Sequence, residues 1–317
     1  MSSPRFGANC SRGRFPRQNL ACPLLSCLFF GLILALRTSA APIEIGSGKI
    51  DVDFESSAPD FPRALVTAWV TTAARAVTKY YGRFPVDHVV VRIREVAGDR
   101  IDSGKTFGTR AGGVITVSVG RSTTAAHFTS DWLMTHEMVH LTFPSVPEQH
   151  HWIEEGLATY VEPIARVRIG NSRAQKVWAD LVRDLPQGLP EPGDRGLDHT
   201  PTWGRTYWGG ALFCLLADVE IRRRTANAKG LEDALRAILQ AGGSISADWK
   251  LERALEIGDR ATGVPILQEL YAEMKAAPHP VDLDQLWKQL GIERRGQTVV
   301  LHDDAPLAAV RKAIMPE

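Results

Sequence analysis

His136-Glu137-Met138-Val139-His140 is the stretch on which the reading of this chain depends. On an α-helix, a spacing of four puts the two imidazoles on one face, one turn apart, where both can reach a single metal ion. Glu137 stands beside them and can take a proton from water activated by that metal. The neighbours Leu133, Met134, Met138, Val139 and Leu141 are apolar, as expected of a helix in the floor of a cleft. The plain alternative is a core helix with two satisfied histidines. Two His and a Glu are costly to bury without a partner, so a third ligand should be findable.

Catalytic zinc keeps three protein ligands and one open position. The H-E-x-x-H-x-x-G-x-x-H arrangement is excluded, because Phe143 and Val146 stand where its glycine and third histidine would be. Downstream lies Trp152-Ile153-Glu154-Glu155-Gly156-Leu157-Ala158-Thr159-Tyr160-Val161-Glu162. Pro144 and Pro147 break the chain before it, and a second helix is expected from near Trp152 to past Val161. A carboxylate on that helix can fold back onto the two histidines across a short turn.

This segment resembles the W-x-x-E-G-x-A-x-Y-x-E stretch of the aminopeptidase N and glycyl aminopeptidase-like (peptidase MA-like) gluzincins. The resemblance implies a zinc metallopeptidase in which Glu155 joins His136 and His140 around one zinc ion. It also implies that Glu162, seven residues further along the same helix face, supports a zinc-bound histidine from behind. Tyr207-Trp208-Gly209-Gly210-Ala211 is similar to the Y-x-K-G-A segment of the same enzymes, which assigns Tyr207 as hydrogen-bond donor to the oxyanion. Gly209 replaces the lysine of that pattern, and the connection from His140 to Glu155 is shorter than in the aminopeptidase N family.

Those enzymes hold the substrate amino terminus with acidic residues, one of them in a G-x-M-E-N loop. The equivalent stretch here, Gly112-Gly113-Val114-Ile115-Thr116-Val117, carries no acid. An edge strand through Gly113, Val114 and Ile115 is expected to hold an extended peptide by main-chain pairing, with exo- and endopeptidase action both open. Glu154 could add a negative charge or face solvent. His150-His151 reads as an exposed polar turn at the cleft rim.

The rest of the chain frames this site. The 317 residues carry 37 Lys+Arg against 36 Asp+Glu, without the basic excess of a nucleic-acid binder, and 44% are hydrophobic, enough for a sizeable core. The near-neutral total hides an asymmetry. Residues 1–40 hold Arg5, Arg12, Arg14, Arg17 and Arg37 and no acid, around the apolar run Ala21–Leu36. This pattern reads as a signal peptide cleaved after Ala40, which leaves a mildly acidic body; the alternative is a membrane anchor formed by residues 21–36. Only Cys214 lies beyond that segment, inside an apolar helical stretch, so no intramolecular disulfide is expected.

Helices are expected at Phe61–Tyr81, Asp131–Leu141 (capped by Thr129 or Ser130), Gly210–Arg224, Leu231–Gln240, Thr262–Ala276, Asp282–Leu290 and Leu307–Ile314. Strands are expected at Val89–Val96, Val114–Val119 and Thr298–Leu301. Strands early and helices late give an α+β fold. It comprises a zincin-like (gluzincin) subdomain over 41–184 with a small mixed sheet, a Pro/Gly-rich connection at 185–201, and a mostly helical subdomain over 202–317. The expected protein is a secreted or periplasmic zinc-dependent metallopeptidase. Its partners are a peptide or protein substrate, no nucleic acid, and a membrane only if the N-terminal segment stays attached. The alternative function is a catalytically silent zinc-containing binding or assembly module.

Overall fold

Strand β3 (Gly48–Phe54), helix α1 (Arg63–Tyr81) and strand β4 (His88–Val96) begin the architecture, with β3 and β4 parallel and the helix as their crossover. They belong to a computed structural model that describes residues 38–39, 41–56 and 58–316. Strand β3 alternates strictly between buried and half-buried positions, so one face of the sheet is turned to the core. Helix α1 ends at Gly82, whose φ of 79° places it in the left-handed region that glycine tolerates best.

Strands β5 (Ile101–Thr109) and β6 (Gly112–Gly120) complete the sheet on its other side. Strand β6 lies parallel to β4 and antiparallel to β5. The short strands β1 (Thr38–Ser39) and β2 (Ile43–Ile45) both pair with the outer edge of β3. The result is a mixed six-stranded sheet with β5 at the edge nearest the candidate site. Ile50, Val52, Val91, Ile93, Ile115 and Val117 project from it into one continuous core.

Helix α2 (Ala125–Ser130) leads into α3 (Leu133–Val139), the H-E-x-x-H helix. This helix is shorter than expected. Residues His140–Thr142 tighten into a 3₁₀ turn, and Phe143 is extended because Pro144 follows it. Asp131, rather than Thr129 or Ser130, caps the helix: its Oδ1 accepts the Leu133 N–H at 2.9 Å. Helix α4 (His151–Arg168) then returns across α3, and α5 (Ala174–Asp184) follows.

The C-terminal part is helical, as expected. It contains α6 (Gly210–Arg224), α7 (Leu231–Gln240), α8 (Leu251–Thr262), α9 (Ile266–Met274) and α10 (Leu283–Leu290). A hairpin of β7 (Ile292–Arg295) and β8 (Thr298–Leu301) and helix α11 (Ala308–Ile314) complete it. The expected helix at Thr262–Ala276 is displaced. Thr262 ends α8, Gly263 turns left-handed, and the next helix starts only after Pro265. The expected leader lies outside the described residues apart from Thr38–Ser39. Among the described residues, no helix is long and apolar enough to cross a membrane. Cys214 is a buried free thiol.

Candidate metal centre

Helix α3 supplies His136 and Glu137, and His140 stands where its last turn tightens, so the four-residue spacing still puts both imidazoles on one side. Their ring centroids are 5.0 Å apart and nearly perpendicular. Helix α4 delivers Glu155 against them. Its Oε2 lies 3.3 Å from His136 Nε2 and 3.6 Å from His140 Nε2. One ligand atom from each of the three lies within 4.8 Å of the others, and all three side chains are buried.

These distances test whether a metal ion fits. A tetrahedral zinc ion with bonds of about 2.0–2.2 Å keeps its ligand atoms roughly 3.3–3.6 Å apart, which is the spacing found from Glu155 Oε2 to each of the two imidazole nitrogens. Burial would lower the His136 pKa, but Glu155, Glu137 and Glu162 overcome it and hold the imidazole above its ordinary value. Such a concentration of buried carboxylate around two imidazoles is the electrostatic environment a divalent cation satisfies. Glu155 Oε1 has no hydrogen-bond partner among the described residues.

The proposed base is fully buried and firmly placed. Thr106 Oγ1 of β5 donates to Glu137 Oε2 at 2.6 Å and also approaches the Glu137 carbonyl oxygen at 3.0 Å. Gly104 lies directly over the other oxygen: a Cβ at residue 104 would come within 2.4 Å of Glu137 Oε1. A sharp irregularity between Asp102 and Lys105, with Ser103 at φ 56°, lets β5 pass so close. Neither Thr106 nor Gly104 was singled out by the sequence, because nothing in Ile101–Thr109 alternates as a strand should.

Gly113, Val114 and Ile115 do not form an edge. Their strand β6 is paired on one side with Val89, Val90 and Val91 and on the other with Gly108, Phe107 and Thr106. Its main chain is used up, and the free edge beside the site belongs to β5. The turn before α4 also differs from expectation. His150 is 3% exposed and its Nδ1 lies 2.9 Å from Asp198 Oδ1. His151 brings Nε2 within 3.4 Å of Glu155 Oε1 and Nδ1 within 3.3 Å of Glu154 Oε2. Burial opposes protonation of His151, but Glu154 and Glu155 prevail and raise its pKa. Glu154 is itself buried and accepts the Val146 N–H at 3.2 Å, fastening the α3–α4 turn to the ligand helix.

Glu162 lies on the cavity wall with His136, but its hydrogen bond comes from Arg166 Nη1, one turn on, at 3.0 Å. Burial raises its pKa against the pull of Arg166. Burial likewise lifts Asp131, which faces the same Arg166 and Glu162, to about 7. Tyr207 sits on a π-helical turn, Gly204–Gly209, that widens the start of α6. Its ring is parallel to that of His136, within 17°, at 6.5 Å between centroids.

No protein-family model and no curated protein matches the sequence. The fold aligns with an aminopeptidase N family protein from Idiomarina loihiensis at 12% identity and a TM-score of 0.60, covering 81% of this chain and 49% of that one. An M1 zinc metallopeptidase from Deinococcus radiodurans aligns at 14% identity and a TM-score of 0.48, over 77% of this chain and 52% of the other. A two-domain M1 zinc metallopeptidase aligns at 16% identity and a TM-score of 0.48, over 77% and 54%. The chain thus has the fold of the Idiomarina loihiensis protein and spans about half the length of the solved structures it matches.

Proposed function

We propose that this protein is a zinc-dependent metallopeptidase acting outside the cytoplasm. The observation that carries the reading is the buried His136, His140 and Glu155 set, spaced for one metal ion, with Glu137 on the same helix and Tyr207 facing His136. Its fold, and the leader-like composition of residues 1–40, support it.

His136, His140 and Glu155 would hold a zinc ion, which would supply Lewis acidity at the scissile carbonyl and acidify water. The Glu137 carboxylate takes the proton of the attacking water and returns it to the leaving amine nitrogen. Thr106 holds Oε2 of that carboxylate in place. The Tyr207 phenol donates to the carbonyl oxygen as negative charge develops on it. An extended substrate adds to β5, the edge strand of the sheet beside the site among the described residues.

Metal content and cleavage of a peptide library, measured for wild type and Glu137→Gln, test this directly. Wild type should bind about one zinc and cut peptides. Glu137→Gln should keep the metal and lose roughly 10²–10⁴-fold in turnover, the usual range for a positioned acid–base group. A zinc-loaded wild type that cuts nothing sinks the enzyme reading. One observation favours the alternative of a catalytically silent zinc module: Glu137 is 0% exposed beneath Gly104. The same experiment decides between the two.

A further inference from the structure

Beside the metal ligands lies a cavity of about 450 Å³, within the range of small-molecule sites, to which the reaction scheme assigns no part of the substrate. His136 forms part of its inner wall. Trp132 stands edge-on to the His136 ring at 5.2 Å between centroids. Tyr207 is parallel to His136, and Trp203 stacks on Tyr207 at 5.7 Å and 26°. Trp203 is 41% exposed, one of only two large apolar side chains so exposed among the described residues. An aromatic series therefore runs from the surface to a metal-ligating imidazole.

The remote end of the cavity is charged but internally compensated. Asp180 takes Lys176 at 2.6 Å and Arg183 at 2.7 Å, and Arg183 also reaches Asp184. A charged ligand side chain would meet no unmatched opposite charge there, whereas a small one would leave the aromatic walls unfilled. A flat, apolar ring fills the space and adds to the stack.

Resting on the peptidase reading above, we infer that this cavity is a side-chain subsite for a large aromatic residue flanking the scissile bond, with Trp203 as its stacking platform. Trp203 thereby sets specificity without touching the reacting atoms.

The test uses the zinc-loaded full chain and paired peptides that differ only in Phe or Ala at each position flanking the cut. Wild type should prefer Phe at one position by at least about tenfold in kcat/KM, the low end of what an apolar pocket achieves. Trp203→Ala should shrink that preference about threefold to tenfold, as loss of one aromatic stack implies. The same peptides are bound at equilibrium to zinc-loaded Glu137→Gln, so that binding is read apart from turnover. Cleavage with no preference for Phe, or a preference untouched by Trp203→Ala, overturns the subsite and leaves the peptidase reading standing. Phe-selective binding without wild-type cleavage does the reverse. Failure of both selective binding and cleavage overturns both.

Discussion

At the scale of single residues, Gly104 leaves no room for a side chain over the proposed base. Replacing Gly104 by Ala puts a methyl group 2.4 Å from Glu137 Oε1 and 2.8 Å from Leu133 Cδ1, so the carboxylate must move. A displacement of about 1 Å in a reacting group can cost on the order of 10²-fold in rate. Gly104→Ala is therefore expected to bind zinc as wild type does while losing roughly that factor in kcat. His151 bears on the candidate metal ligands instead. Its Nε2 lies 3.4 Å from Glu155 Oε1, and outer partners of metal ligands are typically worth about 10–100-fold in affinity. His151→Ala should show that loss in a chelator competition, whether or not the protein turns over. The metal set itself was legible, since a spacing of four fixes a shared face before any tertiary contact is known. For Glu162 the place on the helix face was readable, but its hydrogen-bond partner Arg166 was not. His151 could have been found, because it lies four residues before Glu155 on one helix.

At the scale of elements, two glycines position the whole centre. Helices α4 and α6 cross where Gly156 faces Gly210. A Cβ on Gly156 would sit 2.3 Å from the Gly210 carbonyl carbon, and one on Gly210 would sit 2.1 Å from the Trp152 carbonyl oxygen. Both obstructions are backbone and cannot swing aside. Glu155 precedes the first glycine and the π-helical turn bearing Tyr207 precedes the second, so the crossing sets the metal ligand and the phenol together. In an open helix, Ala would be favoured over Gly by about 1 kcal/mol. Here Gly156→Ala should destabilise the metal-free protein by about 1–3 kcal/mol in urea unfolding, the range for overpacking, and the sign distinguishes the two. The pattern of elements explains what else was legible. Strand β4 and helix α7 announce themselves by β-branched runs and helical periodicity. Strand β5 does not, because Asp102, Ser103, Gly104 and Lys105 serve the irregularity and the close pass over Glu137, and Gly108 makes room for the Ile245 carbonyl, rather than a regular pleat. The sequence therefore points to β6, the neighbour that alternates, as the peptide-holding edge.

For the molecule as a whole, the stretch 185–201 fastens the sheet-bearing part and the helical part to the same centre. Leu197 and Asp198 donate main-chain hydrogen bonds to Met274 and Lys275 at the end of α9. The Asp198 carboxylate then gathers His150 Nδ1, Trp152 Nε1 and Tyr271 Oη, at 2.9, 2.8 and 2.9 Å. Two of these begin or precede the ligand helix α4 and the third belongs to α9, so one side chain joins three segments. Burial would raise the Asp198 pKa, but the three hydrogen bonds outweigh it and hold the carboxyl below its ordinary value. A depressed folded-state pKa means the unfolded chain binds the proton more readily. The stabilisation is therefore complete above the ordinary carboxylate range and fades as pH falls through the lowered folded value. Hydrogen bonds to a charged group are worth about 1.5–3 kcal/mol each before relaxation, so Asp198→Ala should lose roughly 2–4 kcal/mol at pH 7. In a chain of this size that lowers Tm by several degrees. The deficit against wild type should be full at neutral pH and narrow in acid, as wild type loses the same interaction by protonation. Thermal unfolding of both proteins between neutral pH and about pH 3 reads this difference. A deficit that stays constant with pH would assign the role of Asp198 to packing instead of charge.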